Sequence, residues 1–114
     1  MAKIEGNQLR GHLDAMVLSC LERGEGHGFE IVRRLDAAGC GELTLREGTV
    51  YPVLYRLERA GLIAGRWEEN PGGRRGPRRR VYRLRRNGQR RLEAGREQWR
   101  RFVHIVGNIM EPAT

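Results

Sequence analysis

The chain has 114 residues, 39% of them hydrophobic, which suits one domain with a modest core. Its formal net charge is +8 and its isoelectric point is near 10.9, so an acidic partner is favoured, either nucleic acid or an anionic membrane. No stretch resembles a signal peptide and no apolar run could span a bilayer, so we expect a cytoplasmic protein. Cys20 and Cys40 form neither a metal-ligand spacing nor a disulfide framework; Cys20 lies on an apolar helical stripe, and a redox role for Cys40 stays open.

Two short helices are predicted first. Apolar residues between Leu9 and Leu21 recur at helical spacing, and glycines follow them. The stretch HGFEIVRRLDAAG predicts a second helix that ends at Gly39. The connector CGELTLREG alternates at Leu43 and Leu45, which is compatible with a strand stub. The side chains of the second helix that we expect to point inward are Phe29, Val32 and Leu35.

A third helix is predicted in EGTVYPVLYRLERAGLI, which Gly61 closes. A proline lacks an N–H and is tolerated in a first helical turn, so Pro52 predicts a start at Thr49 or a near neighbour. One face carries the apolar residues Val50, Val53, Leu54 and Leu57. The opposite face and its flanks carry Tyr51, Pro52, Tyr55, Arg56 and Arg59.

A hairpin and a last helix complete the chain. The runs LIAGRWEE and RRVYRLR flank NPGGRRGP, whose proline and glycines predict a turn. The order of elements is that of a winged helix-turn-helix, mainly α with a small β-hairpin, over residues 1–86, with a C-terminal dimerisation helix over 87–114. In that helix a heptad-like seam runs through Leu92, Gly95, Trp99, Phe102, Val106 and Ile109.

The third helix is the first candidate for chemistry. Its N-terminal turn carries N–H groups and a partial positive charge that favour a phosphate. The hydroxyls of Thr49, Tyr51 and Tyr55 could bind phosphates or base edges. For Tyr51 the alternative, that it covers the edge of the core, stays open; for Tyr55 the functional interpretation is favoured.

The hairpin is the second candidate. Ten arginines and no acidic residue lie between Arg74 and Arg91. On a Gly/Pro turn such a run suits a wing that follows a phosphate backbone, although charge runs are usually solvated faces. The arginines that follow the tip alternate with apolar residues, so some of them must face away. The tip residues we expect to contact nucleic acid are Arg74, Arg75, Arg78 and Arg79.

The seam of the last helix is the third candidate. Trp99 and Phe102 are too large and apolar to stay exposed on so small a domain, so they pack on their own core or on a second copy. A homodimer is favoured, because twofold symmetry suits palindromic DNA. Gly95 and Gly107 either leave room for a flat apolar ligand between subunits or allow close helix approach.

Catalysis finds no support in the sequence. The three histidines are scattered, no His/Cys/carboxylate cluster has ligand spacing, and GEGHG lacks the lysine of a phosphate-binding loop. We therefore predict no enzyme, no cofactor and no metal site, and interpret His27 as a helix-entry residue beside Gly28.

A family resemblance adds to these expectations. The segments LRGHLDAMVLSCL, HGFEIVRRL, EGTVYPVLYRLERAGLI and RRVYRL resemble successive signatures of the PadR family of bacterial transcriptional regulators. The resemblance covers Leu9 to about Leu84 and implies a winged helix-turn-helix homodimer held by its C-terminal helix. It also implies repression at an inverted-repeat promoter site and release by a small hydrophobic or aromatic effector. The single terminal helix resembles the short subfamily.

The resemblance assigns roles by position. It places Thr49, Tyr51, Pro52 and Tyr55 on the recognition helix, and Arg74 to Arg80 on the wing. It makes Trp99 a candidate for effector binding. Two departures stand out: the wing is unusually rich in arginine, and Arg85 stands where the family often has a threonine, so we expect Asn87 to cap the last helix.

The sequence thus predicts a dimeric, DNA-binding transcriptional regulator, with repression favoured. Two rivals from other classes are a basic RNA-binding module and a protein–protein adaptor on the same fold. RNA readers usually display stacking aromatics on a sheet, whereas these aromatics lie on predicted helices, and the arginine-rich wing argues against an adaptor. The residues expected at DNA are Thr49, Tyr51, Pro52, Tyr55, Arg56, Arg59, Arg74, Arg75, Arg78, Arg79 and Arg80, and those expected at the dimer interface are Leu92, Trp99, Phe102, Val106 and Ile109.

Overall fold

The computed structural model describes residues 6–42, 45–69 and 78–111. The predicted tip residues Arg74 and Arg75 lie outside these residues. Of the candidate strand stub, Leu43 also lies outside them, whereas Leu45 is described. The elements in chain order are α1 (Gly6–Glu22), β1 (Gly26–His27), α2 (Gly28–Ala38), α3 (Glu47–Arg59), β2 (Ile63–Trp67), β3 (Arg80–Leu84) and α4 (Arg86–Met110). This is the winged helix-turn-helix order that the sequence predicts, followed by one long helix.

The core lies where the first three helices meet the sheet. Its fully buried side chains include Leu18 of α1, Ile31 of α2 and Leu54 of α3. The predicted apolar face of α3 is buried throughout, and Cys20 is a small core residue as its helical spacing indicates. Burial of these aliphatic side chains stabilises the fold by about 1.5–3 kcal/mol each before conformational entropy is counted.

Helix α2 begins at a capping box that the sequence only partly reveals. The ring of His27 accepts a hydrogen bond from the backbone N–H of Glu30 at 3.3 Å, and the backbone N–H of His27 donates to the Glu30 carboxylate at 3.2 Å. The interpretation of His27 as a helix-entry residue is confirmed. The prediction that Phe29 points inward is wrong: Phe29 is 50% exposed, because Ile31 fills the core position instead.

Helix α3 begins earlier than Pro52 predicts. It starts at Glu47 and its N-cap is Arg46, which places Pro52 in the second turn. Pro52 therefore costs the helix one hydrogen bond, to the carbonyl of Gly48, at a glycine whose Cβ position is open space. This helix thus tolerates proline one turn further in than the first-turn preference predicts.

The sheet includes one strand, β1, that the sequence does not predict. The hairpin strands β2 and β3 pair antiparallel, with Gly65 opposite Tyr82 and Trp67 opposite Arg80. The two-residue strand β1 pairs with the other edge of β3, which gives the order β1-β3-β2. Two residues are too few for a period-2 pattern, so β1 has no sequence signal.

Helix α4 starts at Arg86 with Arg85 as its N-cap, so the expectation that Asn87 caps it is wrong. The side chain of Arg85 makes no capping hydrogen bond. Instead, the start of the helix is fixed by packing, since a Cβ at Gly88 would collide with the carbonyl oxygen of Leu62. Within the described residues, no helix is long and apolar enough to cross a membrane.

Candidate nucleic-acid interface

The outward face of α3 carries the predicted contact residues together. Thr49 and Pro52 are exposed, Tyr51 is 43% exposed and Tyr55 is 63% exposed. The four side chains follow one another over two turns of a helix whose other face is buried. This face therefore offers two phenol hydroxyls and one aliphatic hydroxyl to whatever covers it.

Tyr51 combines the two roles that the sequence left open. A Cβ at Gly28 would lie 2.6–2.7 Å from Cε1, Cζ and the hydroxyl oxygen of Tyr51, so the hydroxyl end of this side chain occupies the space that the missing side chain leaves. The glycine of the HGFEI segment thus seats the first tyrosine of α3. Because the rest of the ring stays exposed, Tyr51 covers the edge of the core and also belongs to the outward face.

The two arginines of α3 differ in their freedom. Arg56 forms an ion pair with Asp14 of α1, so its guanidinium ties the two helices together. Arg59 lies 5.6 Å from the ring centroid of Tyr55 and its guanidinium nitrogen is 3.4 Å from the Tyr55 hydroxyl. Arg59 therefore supplies a positive charge beside the exposed tyrosine, as predicted from the helical wheel.

At the base of the wing, Arg78 and Arg79 are exposed. The Nη1 of Arg79 lies 3.2 Å from the Nε2 of His27, which itself lies 3.0 Å from the Glu30 carboxylate. The wing base is thus close to the N-terminus of α2 through β1. This contact places Arg79 beside the start of α2, the first helix of the helix-turn-helix.

Arg80 is placed differently from the other predicted contacts. Its guanidinium pairs with the carboxylate of Glu58 on α3 and lies 5.2 Å from the ring centroid of Trp67. The hydrogen bonds that Arg80 donates to the Glu58 carboxylate raise the pKa of Arg80, so its positive charge is firmly held. Nearby, burial raises the pKa of Tyr82, and the Glu58 carboxylate adds to that shift. The sequence prediction that Arg80 points toward nucleic acid missed this pairing, because its partner is 22 residues away in the chain.

The family model described as the transcriptional regulator PadR-like family matches residues 17–94, which is more than half of the chain. The chain belongs to this family. The matched residues run from the core of α1 through the sheet into α4. The resemblance noted in the sequence is confirmed.

Relatives agree with this assignment. A transcriptional regulator from Clostridium thermocellum shares the fold, with a TM-score of 0.81, 25% sequence identity and coverage of 96% of this chain and 100% of that one. The transcriptional regulator YqjI of Escherichia coli is 33% identical over 88 residues, which are 77% of this chain but 39% of YqjI. The Bacillus subtilis PadR structure with operator DNA has a TM-score of 0.62 at 22% identity, covers 72% of this chain and 45% of that one, and so shows the shared fold.

The predicted seam of this PadR-family chain divides along α4. Leu92 is 1% exposed and belongs to the core of its own chain, and Gly95 is buried against Ala15 of α1. Leu92 therefore leaves no free surface for a second copy, contrary to its predicted place at the interface. Beyond that point the seam opens: Trp99 is 52% exposed and Ile109 is 74% exposed.

An aromatic cluster lies where α4 changes from buried to exposed side chains. The rings of Trp99 and Phe102 stack with centroids 5.7 Å apart, and His12 of α1 meets both edge-on at 5.4 and 5.8 Å. A groove of about 410 Å³ runs from this cluster between α1 and α4, and Met16, Gly95 and Arg96 also line it. No local sequence pattern marks His12, because its partners Trp99 and Phe102 lie far along the chain, on α4.

The link between α1 and α4 is also electrostatic. Arg96 and Gln89 of α4 each donate a hydrogen bond of 2.7 Å to the carboxylate of Glu22. The bond from Arg96, and then that from Gln89, lowers the pKa of Glu22 to about 2. The proximal half of α4, residues 86–98, is therefore fastened to its own chain, whereas the distal half, residues 99–110, carries the exposed side chains of Trp99, Val103 and Ile109.

Proposed function

We propose that this protein is a DNA-binding transcriptional repressor that acts as a homodimer in the cytoplasm on an inverted-repeat promoter site. The observation that carries the proposal is the outward face of α3, where Tyr51 and Tyr55 stay exposed beside Arg59 on a helix whose other face is core. Exposed tyrosines next to a cation suit the polyanionic surface of a DNA groove. The Bacillus subtilis PadR of the same fold was solved with operator DNA.

The wing supports the same partner. Arg78 and Arg79 are exposed at its base, and the chain as a whole carries a charge of +8. Each phosphate that such arginines neutralise releases counterions, so binding should weaken steeply with salt. In this proposal residues 1–86 bind DNA and residues 87–114 join the two subunits.

The distal half of α4 supports the homodimer. Phe102, Val106 and Ile109 continue the stripe of the helix that begins at the buried Leu92 and Gly95, and Val103 is exposed beside them. A second copy related by a twofold axis would cover this stripe and place two recognition helices on the two halves of a palindrome.

The groove beside Trp99 supports an effector. Its volume of about 410 Å³ lies in the range of small-molecule sites. Its lining is mainly apolar and aromatic, and its polar side chains are those of His12, Ser19 and Arg96. We propose a small hydrophobic or aromatic compound as the ligand. Because the groove is bounded by α4, its occupation would alter the dimer geometry and so the spacing of the recognition helices.

Binding to DNA from the promoter upstream of the protein's own gene tests this function. We expect the promoter fragment to be bound at least tenfold more tightly than a duplex of random sequence, which is well within the usual specificity range. Duplex RNA of the same length should bind no better than random DNA. Equal affinity for all three would reject specific regulation, tighter binding of the RNA would favour a basic RNA-binding module, and no binding at all would favour an adaptor.

A further inference from the structure

Three side chains from three elements form one stack beneath the wing. Glu58 comes from the last turn of α3, Trp67 ends β2 and Arg80 begins β3. The guanidinium of Arg80 pairs with the Glu58 carboxylate, with its Nε 3.4 Å from Oε1, and it lies over the Trp67 ring. We call these three residues the buttress.

The backbone is adapted to this stack. Trp67 and Arg80 are directly opposite each other in the hairpin register, at the end of the hairpin that leads into the wing tip. A Cβ at Gly65 would lie 2.7 Å from the Nε of Arg80, so the absence of a side chain there lets the guanidinium cross the sheet toward Glu58. The arginine is thereby drawn across the sheet to α3, and both of its neighbours are groups that hold a guanidinium well.

We propose that the buttress fixes the angle of the wing relative to the recognition helix, so that Glu58, Trp67 and Arg80 are positioning residues for DNA recognition. This inference rests on the proposed function, since it assumes that α3 and the wing engage one DNA duplex. It assigns Arg80 a role distinct from that of Arg78, which is exposed. It also explains why α3, the proposed DNA-binding helix, carries the acidic residue Glu58: its carboxylate holds Arg80.

The sign of one substitution separates positioning from plain electrostatics. Glu58→Gln removes a negative charge close to the expected DNA, so electrostatics alone would tighten binding. The buttress predicts the opposite, a loss of between about threefold and thirtyfold for the promoter fragment, the range for network residues that do not touch the ligand. Glu47→Gln is the matched control, because Glu47 is an exposed carboxylate in the first turn of the same helix. It should bind as tightly as the unmodified protein or more tightly.

The salt dependence of binding tests Arg80 itself. Arg80→Gln should weaken promoter binding as Glu58→Gln does, and the double variant should lose little more, because both remove the same pair. The slope of log affinity against log salt should stay unchanged. Arg78→Gln is the control for a phosphate contact and should reduce the slope by about 0.9. A comparable reduction for Arg80→Gln, or tighter binding by Glu58→Gln, would overturn the proposal.

A DNA-free measurement keeps the inference separate from the proposed function. In a Trp99→Phe background Trp67 is the one remaining tryptophan of the chain, so its fluorescence anisotropy and its quenching by acrylamide report on the buttress. We expect Glu58→Gln to lower the anisotropy and increase the quenching at an unchanged melting temperature. If the unmodified protein binds no DNA, the proposed function fails, while this measurement still decides whether the wing is held. An unchanged signal would show that the buttress restrains nothing.

Discussion

The outward face of α3 and the distal half of α4 both expose aromatic or apolar side chains, but they differ in chemistry. On α3 the exposed rings carry hydroxyls, and Arg59 lies against one of them. On α4 the exposed large hydrophobic side chains include the indole of Trp99 and the aliphatic groups of Val103 and Ile109. An exposed tyrosine beside a cation is compatible with water and with DNA, whereas a bare apolar stripe is compatible with burial against another apolar surface.

One small chain can therefore carry two surfaces whose chemistry suits different partners. The α3 surface is built on a helix whose other face is entirely core, so its geometry is rigid. The α4 surface follows the part of the helix that packs on its own chain at Leu92 and Gly95. If this division is correct, substitutions on the two surfaces should separate DNA binding from subunit association.

The largest effect is expected on the distal half of α4. Val106→Arg should raise the dissociation constant of the dimer at least about tenfold, because a charge in the centre of an apolar interface has no partner. Sedimentation velocity over a range of concentrations measures this. Asn108→Arg is the matched control, since Asn108 is exposed and lies about 200° round the helix from Val106. A Val106→Arg protein that dimerises normally would show that the stripe is not the interface.

On the face of α3, Tyr55→Ala should cost about 1–3 kcal/mol of specific binding free energy. The free energy of unfolding should change little, because the side chain is 63% exposed. Tyr55→Phe separates the hydroxyl from the ring, and titration with the promoter fragment measures both variants. Equal weakening on random duplex would mean that Tyr55 contributes affinity but no specificity.

A smaller effect is expected at the seat of Tyr51. Gly28→Ala should push the Tyr51 ring outward and cost about 1–2 kcal/mol in stability from overpacking, together with some loss of promoter affinity. Gly48→Ala is the control, because its Cβ would meet open space; it should leave stability unchanged or raise it by up to about 1 kcal/mol. Thermal unfolding and DNA titration give the two readings. Normal DNA binding by Gly28→Ala would separate Tyr51 from recognition.

The smallest effect concerns the fastening of α4 to α1. Glu22→Gln should lower the free energy of unfolding at pH 7 by less than about 1 kcal/mol, since the pair is partly exposed. The folded-state pKa of about 2 lies below the ordinary 4.5, so the stabilisation is present above about pH 4.5 and is lost as the pH falls toward 2. Denaturant unfolding between pH 2 and 7 should therefore show the two proteins converging in acid. Glu97→Gln, which breaks an exposed pair with Arg100 within α4, is the control and should change the free energy of unfolding at pH 7 by less than Glu22→Gln does.

Much of the fold could be predicted because its signals are local. The apolar periods of α1 and α3, the hairpin and the long last helix all follow from residues close together in sequence. Two predictions were wrong because neighbouring alternatives look alike in the sequence. Phe29 and Ile31 both suit a helix, so periodicity alone did not show that Ile31 is the buried one. Pro52 can also stand in the second turn of α3, where it removes one hydrogen bond, to the carbonyl of Gly48. The candidate site was predicted residue by residue on α3, since the exposed face is the complement of an apolar stripe.

What the sequence by itself determined is the family, the order of elements and which face of α3 is core. What only the tertiary structure decided is which partner each side chain meets. The ring of Tyr51 fills the space above Gly28, Arg80 pairs with Glu58, and Leu92 belongs to its own core. Helical periodicity tells which side of one element is apolar, because it depends on the turn of that element alone. It says nothing about contacts between elements, because these depend on how the whole chain packs.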